Sequence, residues 1–400
     1  MKILSLDSTG LNHNSATGNF KINIFSKDNE NVYLFISTKQ IKNLKKIIIE
    51  DRDDNLNVFS NYGSLRKEIN QFNPELVILR IDFEQPKLMN IFIKYFNETN
   101  IPYVLIIYDS WFNEKLTKRN LSIFLKLLKH SSGLITEIKD LSLEIVEKYK
   151  YEKKILEVRN SWYKNKLVLS KSKAVKSPKI IFSGNVNNKI NYSSLLNFAL
   201  ALEKSHLNID LHIFKHPLYS ELEEKFYNLT KTHIFDQVGY ESYFKNLQNY
   251  DFGFVPYSFD EEAGKYSKNS FSNKLHQYLY NGLSPIGFGP INQTTIKFLI
   301  ENNFKNVLTV DNQNEVIKML SNLQHDDTRT IQKTVSDFFD LELMHYELNK
   351  YYQNLDNNLI DNKIQLPKVR YSLYNFLSLM FGYILFLKNK FTGKINSVFK

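Results

Sequence analysis

The sequence predicts an α/β protein of two Rossmann-like domains facing across a cleft, followed by a helical, basic and apolar tail. Three observations predict it. Short apolar runs alternate with amphipathic helical stretches along most of the chain, as expected of parallel sheets covered on both faces. A Lys- and Ser-rich stretch ending in Pro178 separates two such series, giving a first domain over 1–163, a linker over 164–178 and a second domain over 179–340. A helix over 341–367 is expected to return toward the first domain, leaving 368–400 as the tail.

Composition narrows the function. The chain has 400 residues, 42% of them hydrophobic and 24% charged, enough for two cores. It has no Cys, which excludes disulfides and thiolate metal sites. The net charge of +10 is uneven: after Asp361 there are seven basic residues and no acid, so the body is close to neutral. No nucleic-acid-binding motif accompanies the basic residues, so nucleic acid is not an expected partner. Met1 to Asp7 carries Lys2 within its apolar start and reads as a first strand rather than a signal peptide.

In the first half, residues 2–7, 21–26, 32–36, 46–49, 75–80, 102–108, 133–136 and 155–158 read as strands. Helical patterns cover 63–72, 87–97, 114–129 and the stretch up to about Lys150. Asp109 follows the strand 102–108, at the carboxyl end where open parallel sheets bind ligands. It is a candidate general base, or equally the cap of the helix that follows. Asp7 and His13 are further candidate bases.

The second half opens with Lys179 to Asn185, a buried strand entering a turn at Gly184, and then a loop carrying Lys189. A helix over 193–204, a strand over 209–214, a helix over 219–228, His233-Ile234-Phe235, and Val238-Gly239-Tyr240 ahead of another helix follow. Asp251 to Tyr257 is a strand ending in a turn, and 258–269 reads as an acidic and polar loop. The chain closes with a strand over 306–310 and helices over 314–323 and 328–352.

One stretch organises the rest, Ser270 to Gly287. Ser270 or Ser272 can cap a helix, Leu275, Tyr278 and Leu279 share one face, and Gly282 suits the left-handed residue past its end. The front of this helix, with Lys274 beside it, suits a phosphate or diphosphate. His212 and His216 have a metal-binding spacing, but they straddle a strand end before Pro217 and lack a neighbouring Glu, so no metal site is expected there. No nucleophile elbow or nucleotide-triphosphate loop is present, which removes the best support for hydrolase and NTPase readings.

The second half resembles the donor-binding half of a GT-B glycosyltransferase. The resemblance rests on Ile181 to Asn185, Val238 to Tyr240, Asp251 to Tyr257 and Ser272 to Gly282. The last two are similar to signatures of family-four-like transferases acting on surface polysaccharides, glucuronosyltransferases among them. The resemblance implies a nucleotide-diphosphate sugar as donor, UDP- or GDP-linked. It implies an acceptor, lipid-linked or polysaccharide, on the first domain, and no catalytic metal or cofactor. It places the donor against Gly184, Asn185, Lys189, Val238, Gly239, Tyr240, Tyr257, Asn269, Ser272, Asn273, Lys274 and Gln277. One departure stands out: where retaining relatives carry two Glu eight residues apart, this chain has Asn269 and Gln277. Amides can hydrogen-bond sugar hydroxyls but supply no negative charge, which suits a donor sugar bearing its own carboxylate and leaves the stereochemistry open.

The tail carries a 17-residue, mostly apolar run, Tyr371 to Leu387, flanked by Lys368, Arg370, Lys388 and Lys390. It is short for a span, which needs about 20 residues. It suits an in-plane anchor on an anionic membrane surface, or a helix packed on the first domain. The expectation is therefore a cytoplasmic glycosyltransferase, peripheral on the inner face of the cell membrane. The alternatives are a nucleotide-sugar epimerase of the same architecture and a non-catalytic nucleotide-sugar-binding scaffold.

Overall fold

The structure, a computed structural model, describes residues 1–7, 20–37, 47–50, 56–59, 62–81, 86–108, 116–162, 167–168, 177–187, 190–215, 224–236 and 238–355. Asp109, Lys189, His13, His216, most of the 164–178 linker and the whole tail, with its 371–387 run, lie outside these residues.

Eight strands build the first sheet: β1 (Lys2–Asp7), β2 (Val32–Ser37), β3 (Ile47–Glu50), β4 (Leu56–Phe59), β5 (Leu76–Arg80), β6 (Tyr103–Ile107), β7 (Gly133–Thr136) and β8 (Ile155–Glu157), in the order β4-β3-β2-β1-β5-β6-β7-β8. All neighbours from β2 to β8 run parallel, while β3 and β4 add an antiparallel edge. The apolar runs are continuous because both faces are covered. Val77, Leu79, Tyr103, Leu105 and Ile107 join Phe124, Leu127 and Ile145 on one face. The intervening Leu76, Ile78, Val104 and Ile106 join Leu341, Leu348 and Tyr352 on the other. The last described helix, Leu341–Gln353, thus packs on the first sheet.

The run 21–26 is not a strand. It forms a π-helical turn, Ile22–Ser26. Strand alternation would put Lys21 and Asn23 on the same face as Phe25. The turn instead sends Phe20, Ile24 and Phe25 into the core while Lys21 and Asn23 reach buried polar partners.

Six strands build the second sheet: β9 (Lys179–Gly184), β10 (Asp210–Lys215), β11 (Thr232–Asp236), β12 (Phe252–Pro256), β13 (Ser284–Phe288) and β14 (Asn306–Leu308), all parallel, in the order β11-β10-β9-β12-β13-β14. The strand order reverses between β9 and β12. Connections on the two sides diverge there, opening a crevice beyond the carboxyl ends of the strands. The helix Tyr192–Lys204 covers one face and the helix Asn273–Tyr280 lies on β12 and β13. The loop expected over 258–269 contains a helix, Glu261–Ser267. The helix expected over 328–352 breaks at Phe339 and Asp340, where Asp340 caps the second segment and bridges to Trp162.

Candidate functional site

The site forms at the β9–β12 reversal. Ser272 caps the helix Asn273–Tyr280: its hydroxyl accepts from the Lys274 amide at 3.3 Å. The backbone amide of Ser272 donates to Thr295 Oγ1 at 3.0 Å, and Thr295 Oγ1 in turn meets the Tyr257 hydroxyl at 2.9 Å. Tyr257 is buried, so this relay fixes where the helix begins. At the far end Gly282 adopts φ 70°, the left-handed conformation that lets the chain turn into β13.

Lys274 sits in the first turn. Its side chain runs alongside Gly184, the last residue of β9, where an added Cβ would stand 3.7 Å from Lys274 Cε. Gly184 has φ +140°, a conformation that side-chain-bearing residues rarely adopt. The ammonium lies over the Tyr243 ring at 5.2 Å. Burial pulls the Lys274 pKa down to about 8, and no carboxylate pairs with it among the described residues. A half-buried cation at a helix N-terminus, with no carboxylate partner among the described residues, can receive an anion.

Among the described residues, other polar atoms around this helix also lack hydrogen-bond partners. His276 Nε2, Gln277 Oε1, Trp162 Nε1 and Arg159 Nε are buried without hydrogen bonds. Burial, helped by Lys274, drives the His276 pKa down to about 3, so its ring is neutral. The His276 and Trp162 rings meet edge to face at 5.2 Å. The Arg159 guanidinium lies over Phe338 and Phe271 at 5.3 and 6.0 Å.

The two halves touch at this site. Asn160 Nδ2 donates to Asn273 Oδ1 at 3.4 Å and Asn160 Oδ1 accepts from Asn23 at 3.0 Å, a chain of three amides from the π-helical turn to the helix Asn273–Tyr280. Asn269 donates to Glu144 of the first half and lines a hollow of about 750 Å³ with Asp140, Glu147, Lys265 and Lys268.

Of the residues predicted from sequence, Gly184, Ser272, Asn273, Lys274 and Gln277 are brought together. Asn185 is exposed on the loop beyond β9. Val238 is partly buried and Gly239 caps the helix Tyr240–Leu247, whose Tyr243 ring lies beneath the Lys274 ammonium. Tyr257 braces the helix start through Thr295. Asp7 is buried between Lys21 at 3.6 Å and Arg80 at 3.3 Å, an engaged carboxylate unsuited to be a base. Sequence reasoning missed Tyr243, Arg159, Asn160 and the buried Glu137 beyond β7. Tyr243 lies three residues beyond Tyr240, one helical turn, and that spacing was the available signal.

No family model and no curated protein sequence matches the chain. Solved structures do. Sucrose-phosphate synthase from Thermosynechococcus elongatus aligns with TM-score 0.64 at 9% identity, over 89% of this chain and 99% of that one. Anabaena HepE, solved in complex with UDP, aligns with TM-score 0.61 at 13% identity, over 89% and 100%. The lipopolysaccharide outer core galactosyltransferase WaaB aligns with TM-score 0.57 at 10% identity, over 88% and 100%. At such identities the likeness establishes the fold, and the fold is GT-B.

Proposed function

We propose that the protein is a glycosyltransferase that moves a sugar from a nucleoside diphosphate to a lipid-linked or polysaccharide acceptor. The observation that carries this reading is Lys274, a half-buried ammonium with no carboxylate partner among the described residues, set against Gly184 at the head of a helix. In transfer, negative charge grows on the leaving diphosphate. A cation and helix amides fixed in place beforehand stabilise that charge without reorganising, and no metal is needed at the diphosphate. UDP is the first nucleotide to test, because the Anabaena neighbour was solved with UDP and glucose. Gln277 and Asn269 take the sugar or ribose hydroxyls, and their neutrality suits a donor sugar bearing its own carboxylate. Asp109, following β6, is the proposed base on the acceptor side. The enzyme works in the cytoplasm, with its basic, apolar tail on the inner membrane surface.

The test is turnover. UDP- and GDP-sugars are offered with membrane lipid extracts, without added divalent ions, and nucleoside diphosphate release and new glycolipid are followed by mass spectrometry. One donor should be consumed only when acceptor is present, and Lys274→Met should abolish this. Donor conversion without acceptor would point to the epimerase instead. Binding without any turnover would leave a scaffold. Replacing Gln277 with Glu should weaken uronic acid donors more than neutral ones, and equal effects would remove the uronic acid reading.

A further inference from the structure

The opposite end of the second sheet holds a separate cluster. Asp210 and His212 stand two residues apart on β10, so both project from one face. His212 is in register with His233 on the neighbouring parallel strand β11, which brings the third side chain alongside. One ligand-capable atom from each of the three lies within 4.8 Å of the others. His233 Nε2 and Asp210 Oδ1 are 3.6 Å apart, close to the roughly 3.3 Å that separates two ligand atoms sharing a tetrahedral zinc ion with bonds near 2 Å.

We propose that Asp210, His212 and His233 bind a zinc-class divalent ion. Two imidazoles and a carboxylate suit such a metal, with the fourth position left to water. The surroundings support the donor geometry. His212 Nδ1 is 2.9 Å from the Tyr250 hydroxyl, a contact that orients the ring. All three residues are partly exposed, so the ion has a path in. Lys179 opposes the site and Asp210 favours it among the charges that His212 feels.

The placement assigns the ion a structural role. Asp210 is in register with Lys179 at the start of β9, whereas Gly184 at its end pairs with Lys215. The strands are parallel, so the metal cluster and the Lys274 site occupy opposite ends of the sheet. A metal here ties the edge strand β11 to β10 and takes no part in the anion site. From sequence no metal is expected at His212 and His216; the second histidine of this cluster comes from the next strand.

The experiment uses the full chain without a histidine tag, stripped of metal and titrated calorimetrically with zinc chloride. Cobalt(II) absorption then reports the ligand geometry. The expected result is one zinc per chain, tetrahedral cobalt bands, and a melting point that zinc raises. His233→Gln and Asp210→Asn both change exposed side chains and should fold as wild type by circular dichroism. Each should weaken zinc by about tenfold or more, while His206→Gln, an exposed histidine elsewhere, should not. Lys274→Met should bind zinc as wild type does. The absence of a stoichiometric site, or affinity indifferent to both His233→Gln and Asp210→Asn, would overturn the proposal.

Discussion

Gly184 and Lys274 come from elements 90 residues apart and meet side by side, with only 3.7 Å between a Cβ placed on the glycine and Cε of the lysine. That spacing is ordinary van der Waals contact, so the backbone rather than crowding makes the glycine necessary. At φ +140° an alanine is strained. Gly184→Ala should therefore lower unfolding free energy by about 1–3 kcal/mol. It should also weaken nucleoside diphosphate binding, because relaxation of the strand end moves the wall of the anion site. Urea denaturation and calorimetry on the same preparation check both.

Gly253 makes a different demand. A Cβ there would meet the Tyr278 ring at 2.2 Å, so the glycine on β12 is what lets the helix Asn273–Tyr280 lie close to the sheet. Gly253→Ala should destabilise by about 1–3 kcal/mol or more through overpacking. In a Tyr278→Leu background the same substitution should cost clearly less, and the double-mutant cycle measures that coupling.

The depressed Lys274 pKa sets a pH window. The folded chain gives up this proton at about 8, well below the ordinary 10.5. Between those values the unfolded chain binds the extra proton, so Lys274 makes the free protein more stable as pH rises through that range. Binding has the opposite sign, because a diphosphate needs the charged form. Affinity should be full at pH 7 and fall several-fold by about pH 9.5, while Lys274→Met shows a weak, flat profile. Calorimetric titrations across that range decide it.

Asp326 is a buried carboxylate whose pKa burial raises to about 6 from an ordinary 3.8, even though the Lys305 amide donates to it at 2.9 Å. Here the folded chain holds a proton that the unfolded chain has lost. The stabilisation is present at low pH and disappears as pH rises through 6. Asp326→Asn keeps the acceptor for Lys305 and removes the charge. It should raise stability at pH 7.5 by about 1–3 kcal/mol, with a clearly smaller gain at pH 4.5. Thermal melts at the two pH values test the sign.

Much of the architecture was legible because both sheets bury both faces. A strand such as Tyr103–Ile107 has no polar side to disguise it, and the Ser272 cap and Gly282 stop delimit the central helix within a residue. The run 21–26 failed because its apolar content resembles a strand while Lys21 and Asn23 need partners from elsewhere in the fold. In the site, local chemistry marked Gly184, Ser272 and Lys274. Asn160 and Arg159 carry no local pattern, since their roles arise only when the two halves meet. The metal cluster was hidden for the same reason: register between β10 and β11 brings His233 to His212, and no spacing along the chain encodes register.

The proposed hold of Lys274 on the diphosphate is read by titrating UDP and GDP, and the matching nucleosides, into wild type and Lys274→Met at pH 7. In the variant the preferred nucleoside diphosphate should lose about tenfold or more in affinity, the scale of one charge-assisted contact, while its nucleoside is unaffected. Unchanged diphosphate binding, or equal weakening of both ligands, would contradict it.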